Sequence, residues 1–367
     1  MQVICLHDQV NKLSNSKSLD FELNKVLNRL HRCQQNFKAG RCNCANCWIP
    51  TDYGLGKTSF NELFIDEDKK KYYDSTCNRG VLGKFVPESY PENMDFLDYN
   101  LDFSEKNPRI NRKFVPSIST ANKTHYWDKL RLTNFFVSIS VKDIGYGPSV
   151  AQRGGQFIVN GVLKDSVETK TADTSYIQRV LDAKSQPYAV LPIERSLYLN
   201  DPHFMSTYVL FEYLNSLKMY DISGLNIIPF VIGSTDEQFR LCCKVLKKWG
   251  FRNVAWSVSG LNKAHNSAKI KHTYSLISSY FEQVLMVNFL SFRSYFEKSV
   301  FVSPNWYLIP YCFGRRVHSK QGTICQCEFC RGRFDYRVTP QDLALCSLSK
   351  IFSNFDNSSQ TKLEEWL

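Results

Sequence analysis

The chain has 367 residues, 43% hydrophobic and 22% charged, which is the balance of a globular protein long enough to bury a large core. No apolar run approaches the roughly 18 residues needed to span a bilayer, and the opening MQVICLHDQVNKLSNSK lacks the form of a secretory leader. A soluble, cytoplasmic protein without membrane contact is therefore expected. The 46 Lys and Arg residues against 35 Asp and Glu give a net charge of +11, which suits a nucleic-acid partner as well as it suits a merely basic soluble protein.

In chain order, LDFELNKVLNRLHRC predicts a helix over 19–33. The cluster CNCANC then places Cys42, Cys44 and Cys47 together, with Cys33 or Cys77 as the residue that would complete a metal site. YGLGKT at 53–58 is not a phosphate loop, because Thr51 stands where the pattern requires glycine and no hydrophobic strand leads in. The rest of 1–130 is polar and rich in Tyr, Asn and Pro, and reads as an irregular N-terminal extension.

From 131 to 311 the texture changes to short β-branched and aromatic runs: FFVSISV (135–141), FIVNGVL (157–163), YAVLPI (188–193), LNIIPFVI (225–232), NVAWSVS (253–259) and SVFVS (299–303). With helical patterns between them, these predict an α/β domain, either an α/β barrel or a doubly wound sheet. In both architectures ligands sit at the carboxyl ends of strands. The clearest unit is 225–261, where Ser234 and Glu237 have capping-box spacing and Gly250 marks the helix stop. Phe239, Cys242 or Cys243, Leu246 and Trp249 fall on one face of that helix.

Three carboxylates follow predicted strands and are candidates for catalysis: Asp143, Glu194 and, one loop further, Asp201. GYGPSVAQRGG (145–155) misses the dinucleotide fingerprint and reads as a loop. His7, His31, His125, His203, His265 and His272 show no paired spacing, so packing or surface roles are expected for them.

The segment 312–367 carries the strongest motif, CQCEFC followed by LALCSL. In a reducing compartment such thiols point to metal rather than disulfides. Cys325, Cys327 and Cys330, with Cys346 as the best-placed fourth ligand, form a set suited to a structural Zn2+. His318 and Cys312 are weaker alternatives for that fourth position. RRVHSK and RGR place Arg315, Arg316, Arg331 and Arg333 around the same cluster.

The combination of CQCEFC, LALCSL, IIPFVIGSTDEQF, SVSGL, FIVNGVL and SVFVSPNWYLIPYCFGRR resembles the tRNA-guanine transglycosylase superfamily, the queuine and archaeosine enzymes with their phage and bacterial relatives that insert deazapurines into DNA. The resemblance covers about 133–350. It implies a TIM-type barrel with a C-terminal zinc loop, Cys346 taking the place of the family's histidine ligand. It further implies exchange of guanine for a 7-deazaguanine base in DNA or tRNA, or, if catalysis is lost, a non-catalytic zinc-dependent nucleic-acid-binding or partner subunit. Asn160, Gly233, Ser234, Gly260, Asn305, Arg315 and Arg316 would contact substrate. The family pattern is broken at Ile232, where a base-reading glutamine is expected, at Asn160, where an aspartate is expected, and across VSPNW, which offers Asn305 and no carboxylate. Asp143, Asp165 or Glu194 would then carry the covalent step.

Overall fold

In the computed structural model of the chain, the residues described are 17–38, 94–118, 136–152, 154–161, 173–195, 197, 203–258, 267–289, 296–302, 326–332, 342 and 346. The strands are β1 (Phe114–Val115), β2 (Ser117–Ile118), β3 (Phe136–Ser140), β4 (Gln156–Asn160), β5 (Ala189–Val190), β6 (Asn253–Ser257), β7 (Gln283–Val287) and β8 (Ser299–Val302). Between them run helices α1 (Lys17–Lys38), α2 (Gly147–Gln152), α3 (Asp173–Leu181), α4 (His203–Ser223), α5 (Asp236–Lys248) and α6 (Ser267–Ser278).

The strands form two parallel four-stranded sheets, ordered β2-β3-β4-β5 and β1-β8-β7-β6. Strands of parallel sheets covered on both faces have no solvent side, so they read as continuous apolar runs, and β7 and β8 are buried at every position. The predicted strand at 225–232 is extended but interrupted. Ile227 bridges Val190 and Phe230 bridges Ala255, both in parallel, while Pro229, between them, has no N–H to donate and supplies only its carbonyl, to Ala255 at 2.8 Å.

Residues 94–118, which the sequence places in the N-terminal extension, belong to the same core. Phe96, Phe103, Ile110, Phe114 and Val115 are buried in it. The Asn107 side chain donates to the carbonyls of Ile227 and Asn253, both at 2.9 Å. Its carbonyl oxygen accepts from the amides of Arg252 and Asn253 at 2.9 and 2.7 Å. Gln283 makes a matching pair with the backbone of Ile110. Asn107 thus satisfies buried backbone at 227 and at the amino end of β6, and Gln283, first residue of β7, satisfies that of Ile110.

Helix α5 ends as expected, with Gly250 at φ 84°, and Phe239, Cys242, Cys243, Leu246 and Trp249 are all buried. Its cap is Thr235 rather than Ser234: the Thr235 side chain accepts from the amide of Gln238. Ser234 is withdrawn from capping because its hydroxyl bonds Ser206 at 2.8 Å and the Gln238 side chain at 2.9 Å. Helix α1 docks on α4 and α5 through Leu23 and Val26, with ion pairs from Arg29 to Glu237 at 2.9 Å and from Lys244 to Glu22 at 3.3 Å.

At this junction His203 is buried, its Nε2 lying 3.3 Å from the carbonyl of Val26 and its Nδ1 3.5 Å from the Gln238 side-chain nitrogen. Those partners suit a neutral imidazole that donates through Nε2 and accepts through Nδ1. Burial, assisted by the charge of Arg29, pushes its pKa down to about 4. A histidine whose folded pKa lies below its unfolded value stabilises the fold above the unfolded pKa, and loses that contribution as pH falls. His203→Gln is expected to flatten the loss of stability between about pH 6.5 and pH 4, by an amount on the order of 3 kcal/mol at the acid end. Urea denaturation of both proteins across that range checks this, and parallel curves would refute it.

Candidate functional site

The parallel register pairs Ser138 with Ile158 and Ser140 with Asn160, so these side chains share one face of the sheet, with Ala189 beside Ile158. Ser140 and Asn160 end their strands half-buried, whereas Ser138 and Ile158 below them are buried. A 3-10 turn, Val141–Tyr146, follows β3 and carries Asp143. Asp143 is 4% exposed, and its carboxylate accepts the Ser140 hydroxyl at 2.8 Å.

After β4, Gly161 meets the chain that follows β5. A Cβ at Gly161 would lie 2.1 Å from the Pro192 carbonyl oxygen and 2.6 Å from that of Leu191. No side chain larger than hydrogen fits without moving backbone. The amide of Leu191 donates to Val159 at 2.8 Å and the amide of Glu194 donates to Gly161 at 3.0 Å. Asp143, Asn160 and Glu194 are thereby gathered at the neighbouring carboxyl ends of β3, β4 and β5.

Behind Glu194 lies a polar cluster that sequence reasoning missed. Asp173, at the first position of α3, forms an ion pair with Arg195, the side chains being 4% and 15% exposed. The Tyr220 hydroxyl donates to Asp173 at 2.8 Å and accepts from the amide of Ile193 at 3.1 Å. The Tyr176 hydroxyl donates to the Leu191 carbonyl at 2.7 Å. Burial holds the Glu212 carboxyl above its ordinary range; Arg195 opposes this and Asp173 adds to it. Burial, reinforced by Asp173, pushes the Tyr220 hydroxyl well up. The only sequence signals were an acid at a helix start and an arginine beside Glu194, and neither spacing is distinctive.

Of the residues that the resemblance implies for substrate contact, Asn160 stands at the strand ends. Ser234 is 3% exposed, and both its hydroxyl and its amide are engaged with Gln238 in the helix junction. Gly233 lies under α5, where a Cβ would come within 3.0 Å of the Phe239 nitrogen. Gly260, Asn305, Arg315 and Arg316 fall outside the described residues, as do Asp165 and Asp201.

The second cluster is formed by Cys327, Cys330 and Cys346, whose sulfurs all lie within 4.8 Å of one another. Cys330 and Cys346 are buried and Cys327 is half-buried. The Cys330 amide donates to the Cys327 sulfur at 3.4 Å and the Arg331 amide to the Cys327 carbonyl at 2.8 Å. Arg331 and Gly332 follow with φ of 48° and 68°, so the chain doubles back and presents both thiols inward. Three converging cysteine sulfurs are a fit donor set for a metal ion. Sulfurs around one tetrahedral ion would stand about 3.8 Å apart, a small adjustment from these positions. Cys325 and the other candidate set, Cys42, Cys44, Cys47 and Cys77, lie outside the described residues. Cys242 and Cys243 are core packing, and burial pushes the Cys242 thiol up to about 12.

Comparison with protein-family models gives no match, and comparison with curated proteins gives none. Among the described residues, no helix is long and apolar enough to cross a membrane. The purified protein is expected to carry a bound metal that Cys327→Ser and Cys346→Ser each lose, with a lowered melting temperature, while Cys242→Ser retains it. Elemental analysis and thermal melting of the three variants check this. Unchanged metal content in both cluster variants would refute the site.

Proposed function

We propose that the chain is a transglycosylase-like enzyme that exchanges guanine for a 7-deazaguanine base in DNA or tRNA, on a TIM-type barrel with a zinc-bearing C-terminal loop. The observation that carries the reading is the placement of Asp143, Asn160 and Glu194 at or just beyond the carboxyl ends of the neighbouring strands β3, β4 and β5, given by the Ser140–Asn160 register and the bond from the Glu194 amide to Gly161. The barrel is supported by pairings at both margins of the two sheets: residues 114–118 pair with β8 and β3, and 226–230 bridges β5 to β6. Zinc suits the thiols of Cys327, Cys330 and Cys346, and Cys325, two positions before Cys327 in the sequence, would supply the fourth sulfur. The ion would staple the loop and take no part in the reaction.

In the exchange, Glu194, the more exposed carboxylate, attacks the sugar C1′. The C1′–N9 bond breaks as the new C–O bond forms, and its electron pair departs on the guanine, which takes a proton. The incoming base then attacks C1′, releases the carboxylate and gives up its proton. Asp143, entering the step as the acid and relaying through the Ser140 hydroxyl, gives the departing guanine its proton and takes one back from the incoming base. Asn160, a neutral amide, orients the base extruded into the strand-end site. The second reading, a non-catalytic zinc-dependent nucleic-acid-binding or partner subunit, draws on the amide of Asn160 where the resemblance implies an aspartate.

Incubation with DNA or tRNA labelled in guanine, plus a 7-deazaguanine acceptor, is expected to release label from the wild type and not from Asp143→Ala or Glu194→Ala. Release that both variants retain would remove these residues from the mechanism. No release from either nucleic acid would favour the binding subunit. Neutralising Arg315, Arg316, Arg331 and Arg333 together is expected to weaken binding to all sequences and to flatten its salt dependence by up to about one log-log unit per lost phosphate contact. An unchanged slope in a salt titration would exclude this loop as the binding face.

A further inference from the structure

We infer that Asp173 and Tyr220 are positioning residues, holding the Ile193–Arg195 segment so that Glu194 is presented to substrate in one geometry. The inference rests on the transglycosylase reading of the strand-end site and goes beyond it to residues that touch no reacting atom.

The contacts converge on the two neighbours of Glu194. On one side, the Ile193 amide donates to the Tyr220 hydroxyl at 3.1 Å. On the other, the Arg195 guanidinium is paired with Asp173. Tyr220 and Asp173 are joined by a 2.8 Å hydrogen bond, so the two restraints form one unit. Glu194 itself is tied at its amide to Gly161, and Tyr176 fixes Leu191 from below. The backbone on which Glu194 sits is therefore held from α3, α4 and β4 together.

Packing alone does not account for charge here. Replacing a buried ion pair by apolar side chains of similar volume often leaves a protein as stable or more so. Apolar side chains, however, give no directional restraint, whereas Asp173 directs one oxygen to Tyr220 and the other to Arg195. A nucleophile must be held to a fraction of an ångström, and displacement by about 1 Å lowers rate by about a hundredfold.

The test uses the full chain and the label-release assay, with Tyr220→Phe, which keeps the buried ring, and Asp173→Asn, which keeps the shape. Ser216→Ala serves as a control, since it removes a buried hydroxyl bond of similar kind, to the Tyr213 carbonyl one turn away on the same helix. Both positioning variants are expected to lose between about ten- and a hundredfold in kcat while KM for the nucleic acid holds, measured well below each melting temperature. The control is expected to lose stability without that loss of kcat. An unchanged kcat in Tyr220→Phe, or a fall no larger than that of Ser216→Ala at matched stability, would overturn the inference. If Asp173→Asn does not fold, Tyr220→Phe decides alone. A wild type that releases no label overturns the exchange reading and the inference with it, a result distinct from an active wild type with indifferent variants.

Discussion

One five-residue segment, 114–118, has to satisfy two sheets at once. Phe114 and Val115 pair with Phe301 and Val302, and Ser117 and Ile118 pair with Ser138 and Ile139. Pro116, between them, has no amide hydrogen, and its carbonyl takes the Ser138 amide at 2.9 Å. Buried backbone tolerates no unpaired polar groups, so the change of partner has to fall where one donor is missing anyway. The heights of β3 and β8 relative to one another, and hence of every strand end above them, follow from this junction.

The strand ends inherit that register. Ser140 reaches the level of Asn160 because β3 and β4 are locked residue by residue, and Glu194 reaches it because Gly161 lets the chain after β5 approach to contact. Their side chains differ in kind: a buried acid holding a hydroxyl, a neutral amide and a half-buried acid. Such a division of labour suits a reaction in which one group bonds carbon and another moves protons.

Much of this was legible in the sequence wherever local chemistry decides. The runs around 136–140, 156–160, 253–257 and 299–302 announce themselves as strands because parallel strands are buried on both sides, and α5 because its apolar face, cap region and terminal glycine agree, whereas β7, Gln283–Val287, was not singled out. The cysteine turn was legible from spacing alone. The cap itself was misplaced by one residue, since nothing local reveals that the Ser234 hydroxyl is spoken for by Ser206, 28 residues earlier. Residues 94–118 looked like an appendage because their partners are remote: Asn107 meets Asn253, and Ile110 meets Gln283. The Asp173, Arg195 and Tyr220 cluster was hidden for the same reason, being assembled from α3, the segment after β5, and α4.

The remoteness of those partners bears on how the chain comes into being. Asn107 bonds a residue 146 positions further on, and Phe114 pairs with Phe301. During synthesis the amino-terminal part therefore emerges long before the groups that complete it. Phe103, Ile110, Phe114 and Val115 lack their full burial until 249–302 has left the ribosome, and contacts of such separation form slowly because loop closure precedes any reward. The nascent chain carries an apolar segment in waiting, a target for holding factors and a point of vulnerability to aggregation, and a truncation that removes β8 strands β1 at the other end of the sequence.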